Sequence, residues 1–339
     1  MRKKDKRRAD VKSSILVLLL IAILLMASTY AWFTANTRVT VSTLDVKVEA
    51  KNGLQISTNA VDWKSVISNE DITTNAYEGN VNAIPEIMEP VSTIGEVDTT
   101  TGYLKMYYGE VTSNETTGEF EIKATQVTET AGGAENKNNK FIAFDLFFKV
   151  DADTQLKMTT GSNVIPKVKA DGLAGDDTGL KNAARVAFLK EGNAPAGSGV
   201  KTYTDLKGAQ SLGVGETYFW EPNADKHTKP AEENGVSFGI NTNAKPVPYY
   251  VIKNAFDTAT DGTKITLKDA MKGTNTDNFA AVTSSYVTNE TMTEKNIFRL
   301  TAGVTKIRIY MWIEGQDIDC ENQASGSDIS YNLQFEVAQ

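Results

Sequence analysis

The chain has 339 residues, of which 40% are hydrophobic and 23% charged, a globular composition rather than a disordered or collagen-like one. One histidine, His227, and one cysteine, Cys320, rule out an intrachain disulfide and a zinc site built from His and Cys alone, and leave haem or iron–sulfur chemistry almost without ligands. The formal charge is −8, and because the first 31 residues are basic the rest is more acidic still, which argues against nucleic acid as a partner.

At the N-terminus, Arg2, Lys3, Lys4, Lys6, Arg7, Arg8 and Lys12 precede an apolar run of 13 residues, 15–27. That run is shorter than the roughly 20 residues of a full bilayer span and suits the apolar region of a signal peptide. Small residues follow, and Thr29 and Ala31 fit the −3 and −1 positions of signal peptidase cleavage, so residues 1–31 read as a signal peptide. Extending the stretch through Trp32 and Phe33 gives the other reading, an uncleaved anchor with an aromatic end at the interface. Either way the basic side stays inside and the body is exported. A prepilin leader would need a glycine before the apolar run and a glutamate just inside it, and neither is there.

Residues 32–339 read as one domain built of strands. Val39 and Val41 alternate at odd positions and Leu44, Val46 and Val48 at even ones, so the parity breaks near Ser42 and Thr43. A one-residue slip turns every side chain to the other face, which predicts two short strands joined by a bend or bulge, or one strand that changes sheets. Residues 141–150 are apolar on nearly both faces and predict a central, doubly buried strand. Residues 183–189 suit a strand or a helix, with strand preferred, and 297–300 a short strand. Residues 306–314 alternate, with Ile307, Ile309, Met311 and Ile313 as the core face. In the last strand Ile329, Tyr331, Leu333, Phe335 and Val337 face one way. Long polar insertions near 128–140, 170–182, 190–246 and 257–278 read as loops, with a turn or two of helix over 266–272. The sum is an all-β protein, a single antiparallel sandwich with a decorated rim.

The segment Thr29-Tyr30-Ala31-Trp32-Phe33-Thr34, followed by Val39-Thr40-Val41-Ser42-Thr43-Leu44-Asp45-Val46, resembles the start of the TasA/camelysin family, exported proteins of Gram-positive bacteria made with a specialised signal peptide. The family pattern has glycine where this chain has Ser42. Residues 308–320, and Trp220-Glu221-Pro222-Asn223 followed by His227, are similar to uncharacterised exported Firmicutes proteins with the same leader. The resemblance implies a jelly-roll-type sandwich and a role as a fibre subunit of the biofilm matrix. In such fibres an N-terminal strand is donated to the next subunit. Here that strand would be residues 32–41, with Trp32 and Phe33 as anchors and Val39 and Val41 on one face.

Catalytic constellations are scarce. Camelysin-type proteins have been labelled peptidases, but a zincin needs two histidines one helical turn apart, and this chain has one in all. His227 lies among Asp225, Lys226, Thr228 and Pro230 and reads as a solvated loop residue. No Gly-x-Ser-x-Gly elbow occurs, Gly197-Ser198-Gly199 reads as linker, and Cys320 reads as buried and inert. Glu314, Asp317 and Asp319, with Glu321 beyond, cluster after a strand and have the oxygen donors of a calcium site, without the spacing of an EF-hand; the plain reading is a turn whose carboxylates are solvated and satisfy backbone donors. Asp171, Asp176 and Asp177 read as solvated, and the sequons at Asn114 and Asn289 carry little meaning in a bacterial protein.

The expectation is therefore a non-enzymatic extracellular structural protein, a subunit of a surface or matrix fibre whose partners are copies of itself or related subunits. A surface adhesin using its rim loops is the alternative, and an exported hydrolase comes third. N-terminal sequencing of the extracellular protein is expected to begin at Trp32; a full-length, membrane-bound chain would refute cleavage.

Overall fold

The computed structural model describes residues 45–338, apart from 52, 75–76, 86, 115, 119, 130–138, 208–216, 224–225, 238–249, 253–264, 267–278, 282–294, 321–323 and 325. The chain is all-β. Its strands are β1 (Asp45–Ala50), β2 (Gln55–Ser57), β3 (Val66–Ile67), β4 (Met106–Ser113), β5 (Phe120–Val127), β6 (Ile142–Val150), β7 (Thr154–Met158), β8 (Asn163–Pro166), β9 (Ala184–Ala194), β10 (Thr217–Trp220), β11 (Tyr250–Ile252), β12 (Ile265–Thr266), β13 (Phe279–Ala281), β14 (Lys295–Leu300), β15 (Gly303–Ile313) and β16 (Ile329–Val337). The leader, the cleavage residues Thr29 and Ala31, and the strand-donor residues Trp32, Phe33, Val39 and Val41 lie outside the described residues, as does most of the expected helical turn at 266–272. Among the described residues no helix is long and apolar enough to cross a membrane.

Two sheets face one another. The first runs β14-β7-β16-β1-β3, with β8 also on β16, and the second runs β10-β9-β15-β6-β2. One apolar core joins them: Val48, Leu156, Met158, Leu333 and Phe335 from the first meet Phe144, Leu146, Phe148, Phe188, Ile309 and Met311 from the second. Phe335 sits edge-on to both Phe148 and Phe188, with ring centroids 5.4 and 5.7 Å away. Strand alternation produces this face. Ile309 lies directly between Phe144 and Phe188 in register, so all three point the same way. The expected inward set of the last strand is also as read, with Ile329, Tyr331, Leu333 and Phe335 buried and Val337 packed at the core's edge.

One pairing departs from the antiparallel expectation. β1 lies parallel to β16, Val48 opposite Leu333, and antiparallel to β3 on its other side. A parallel pair needs a long crossover, and here almost the whole domain separates the two strands.

The second sheet is buried on both faces, so the one-sided core expected of residues 306–314 is a correction. Every residue of β15 is buried. The even-numbered side chains, expected to face water, are covered by an additional layer of chain. Val91, Leu104 and Met106 pack on Phe141, Ala143, Leu189, Tyr310 and Trp312. Ala60 and Tyr203 pack on Phe147, Ala194 and Val304. Residues 91 and 92 stitch this layer on: Val91 bridges the chain at Glu314 and Ser92 bridges Tyr107 in β4.

β4 and β5 form a hairpin with an unbroken register from Met106–Val127 to Ser113–Phe120, additional to the strands expected from sequence. The signal was there, since Met106, Tyr108, Ile122 and Ala124 hold even positions on either side of a turn. That turn is made by Asn114, whose side-chain oxygen accepts from the amides of Thr116 and Thr117, with Gly118 at a φ of 72°. The insertion near 190–246 is also more structured than a loop: β9 runs on to Ala194, Val200–Thr204 and Lys229–Ser237 are helical, and β10 joins the second sheet.

Phe144 has no exposed surface in the centre of the shared core. Phe144→Ala is expected to lower the unfolding free energy by about 3–5 kcal/mol, as large core truncations do. Denaturant titration checks it, and an unchanged midpoint would contradict the packing.

Candidate functional site

The outer face of the second sheet carries two clusters of buried charge. The first is centred on Arg308 and Lys306 of β15. Arg308 Nη1 donates to Asp145 Oδ1 at 2.9 Å, Nη2 to the Val81 carbonyl at 3.2 Å and to Glu129, and Nε to the Tyr310 hydroxyl at 3.1 Å. Lys306 Nζ donates to the carbonyls of Thr204 and Leu206 and lies 2.8 Å from Glu191 and 3.5 Å from Asp145. Glu191 faces the lysine because β9 bulges there: Lys306 pairs with Gly192 and Ile307 with Lys190, so Glu191 is the extra residue. Tyr77 donates its hydroxyl to Asp145. Burial alone would raise the Asp145 carboxyl, but Lys306, Arg308 and Tyr77 together hold it well below the ordinary carboxylate range. Burial and the neighbouring Asp145 push Glu191 the other way.

The second cluster surrounds Arg185, the second residue of β9, and the turn that follows β15. Residues 314–320 fold as nested turns. Glu314 Oε1 accepts from the Gln316 amide at 3.1 Å, Asp317 Oδ1 from the Asp319 amide at 2.9 Å, and the Cys320 amide donates to the Asp317 carbonyl at 3.0 Å. The carboxylates thus satisfy local backbone donors, as the plain reading of this stretch expected. They are not solvated, however: Glu314, Asp317 and Asp319 are all buried. Arg185 Nη2 reaches both Asp317 and Glu221, while Nη1 donates to the carbonyls of Asn182 and Ala184.

His227 corrects the sequence reading. Its imidazole is 3% exposed rather than solvated, and Nδ1 lies 2.5 Å from Asp319 Oδ2. The other oxygen of Asp319 accepts from the Thr228 amide at 2.8 Å and from Asn182 Nδ2 at 3.3 Å. One buried carboxylate therefore holds the 226–228 segment, the short 3₁₀ helix Leu180–Ala183 and the turn after β15 together. Potential ligand atoms of His227, Asp317 and Asp319 all lie within 4.8 Å of one another. Of the three residues expected to hold calcium, Asp317 and Asp319 belong to this group. Glu314 turns elsewhere, where its second oxygen accepts from the Trp312 indole at 3.2 Å.

Cys320 is buried within the main apolar core, as expected. The sequence reading missed Arg185, Glu221, Asp145, Glu191, Lys306 and Arg308. Their signal was a strand with apolar neighbours on both sides that nonetheless carried Lys306 and Arg308 in alternation with Ile307 and Ile309. Such charges are either on a water-facing side or paired in a second interior, and only the layer above decides between them.

Burial raises the Glu314 carboxyl from 4.5 to about 8 against the pull of Arg185, and Glu221 from 4.5 to about 7. Between the unfolded and folded values the unfolded chain is ionised while the folded one keeps its proton, so unfolding releases a proton and stability falls as the pH rises. In the presence of chelator the melting temperature is therefore expected to climb as the pH drops from 8 towards 5, and Glu314→Gln is expected to flatten the climb. Asp145 has the opposite sign: its contribution is lost only as the pH falls through its lowered value. A melting temperature that rises steadily from pH 5 to 8 would contradict the burial of Glu314.

No protein-family model, curated protein or solved structure matches this chain.

Proposed function

We propose that the chain is an exported, non-enzymatic structural protein of the TasA/camelysin type, a subunit of an extracellular surface or biofilm-matrix fibre with a jelly-roll-type sandwich. The observation that carries this reading is the seating of β1. Its Val48 is fully buried between the sheets, which fixes even-numbered residues as the inward set of the strand that follows Leu44. Val39 and Val41 are odd-numbered, out of phase with that set, and they lie in the segment that cleavage after Ala31 would expose. A segment out of phase with its own first strand is suited to pairing elsewhere, and strand addition to a sheet edge supplies main-chain hydrogen bonds and pockets for alternate side chains. The outermost strands described are β14, β8 and β3 in the first sheet and β10 and β2 in the second. The acidic body supports the same reading over a nucleic-acid-binding protein, and a sequence with neither a zincin histidine pair nor a Gly-x-Ser-x-Gly elbow supports it over a hydrolase.

A protein starting at Leu44 is expected to stay folded and fail to polymerise, and a peptide of residues 32–43 to bind it. Negative-stain microscopy and sedimentation check this. Fibres formed by the truncated protein would refute strand donation through this segment. A full mature protein that stays monomeric at all concentrations would favour the adhesin reading instead.

A further inference from the structure

We propose that His227, Asp317 and Asp319 form a buried site for one divalent transition-metal ion of the zinc type, with Glu221 joined to it through the shared Arg185. Three observations lead there. The first is geometry: one imidazole nitrogen and two carboxylates converge within 4.8 Å, on side chains no more than 3% exposed.

The second is charge. Among the described residues Arg185 is the one guanidinium in the cluster, and it is shared between Asp317 and Glu221. Against it stand Asp317, Asp319 and Glu221, all buried, with Glu314 close by. With His227 neutral and all three acids ionised, three carboxylates and one arginine leave an excess of two negative charges on side chains no more than 3% exposed. Burying unpaired charge is costly, and such a cluster resolves itself by taking up protons or a cation. A divalent ion matches the excess.

The third is a set of orphaned acceptors. Glu221 Oε2 is buried and accepts no hydrogen bond, although its partner oxygen is held by Arg185. The side-chain oxygen of Asn182, whose nitrogen donates to Asp319, is likewise buried without a donor. Buried polar atoms are nearly always satisfied. Two oxygens left without a donor beside a net-negative cluster point to an electrophile.

The donor set selects the ion. Calcium and magnesium take oxygen ligands, six or more of them, whereas imidazole with carboxylates suits zinc and its first-row neighbours. This mixed set also escapes the earlier exclusion, which counted only His and Cys. A site closed to solvent is structural rather than catalytic. Its effect would be to clip the 226–228 segment to the turn after β15, closing a long loop in a chain whose single cysteine cannot do so.

The test uses the full chain, stripped with chelator and then given Zn²⁺, Mn²⁺ or Ca²⁺ separately. Elemental analysis is expected to find one zinc per chain, with a rise of several degrees in melting temperature, while millimolar calcium changes nothing. His227→Gln and Asp319→Asn are each expected to weaken zinc binding at least tenfold, and Glu314→Gln to leave it unchanged. Should the variants fail to fold, Co²⁺ titration of the wild-type chain decides. One equivalent giving the absorption of protein-bound, low-coordinate cobalt supports the site, and the pale spectrum of the hydrated ion overturns it. Absence of stoichiometric zinc, zinc binding unaffected by His227→Gln, or tight calcium in place of zinc would each overturn it as well. None of these outcomes depends on whether the chain polymerises.

Discussion

Arg308 is the constraint around which the rest of the structure is arranged. It sits in the middle of β15 with no exposed surface, and its guanidinium is bonded to Asp145, Glu129, Tyr310 and the Val81 carbonyl. Those partners come from the neighbouring strand, from the connection after β5, from β15 itself and from the chain after the first small strands. A guanidinium can be taken out of water only if nearly all its donors are met, so every one of these segments has to arrive together. The second sheet can be an inner layer because they do. Replacing such a network by apolar residues is often neutral or stabilising in other proteins, so its value here lies less in net free energy than in register. The Arg308–Asp145 pairing, with Lys306 beside the bulged Glu191, makes a one-residue slip of β15 against β6 or β9 far more costly than an apolar face would.

Much of the first core was legible because its strands carry a single message. In β16 every inward residue is large and apolar and nearly every outward one polar, and β6 is apolar throughout except for Asp145 and Lys149. Periodicity alone reads such strands. It fails where both faces of a strand are interior but differ in chemistry, because Lys306, Arg308 and Glu314 look the same in sequence whether they meet water or a buried partner. What covers them comes from residues 81–107, 129 and 203–206, distant in sequence and themselves weakly patterned. The parallel alignment of β1 with β16 was illegible for the same reason: a strand's direction relative to a partner almost 300 residues away leaves no mark on its own alternation.

The candidate site was legible by half. Asp317 and Asp319 stood out as carboxylates in a turn, and they are where the cluster forms. Their partners were invisible because each contributes one residue from its own segment: Arg185 from β9, Glu221 just after β10, His227 from a stretch with a loop composition. Prior odds on an isolated histidine favoured solvent. A buried carboxylate already holding the Thr228 amide brought it inside instead.

The two charged clusters share one face of one sheet but are balanced differently. Around Arg308 and Lys306 there are two cations for Asp145, Glu129 and Glu191, and keeping a proton on one acid brings the group to neutrality; burial already drives Glu191 and Glu129 that way. Around Arg185, among the described residues, one cation answers for three buried carboxylates and a fourth nearby, so several protons are required to reach the same balance. A metal ion bound there would take the place of such protons, releasing them to water. The first cluster therefore comes within one proton of balance with the residues the chain supplies. The second keeps a larger excess of buried acid, and it is there that the proposed metal ion would restore the balance.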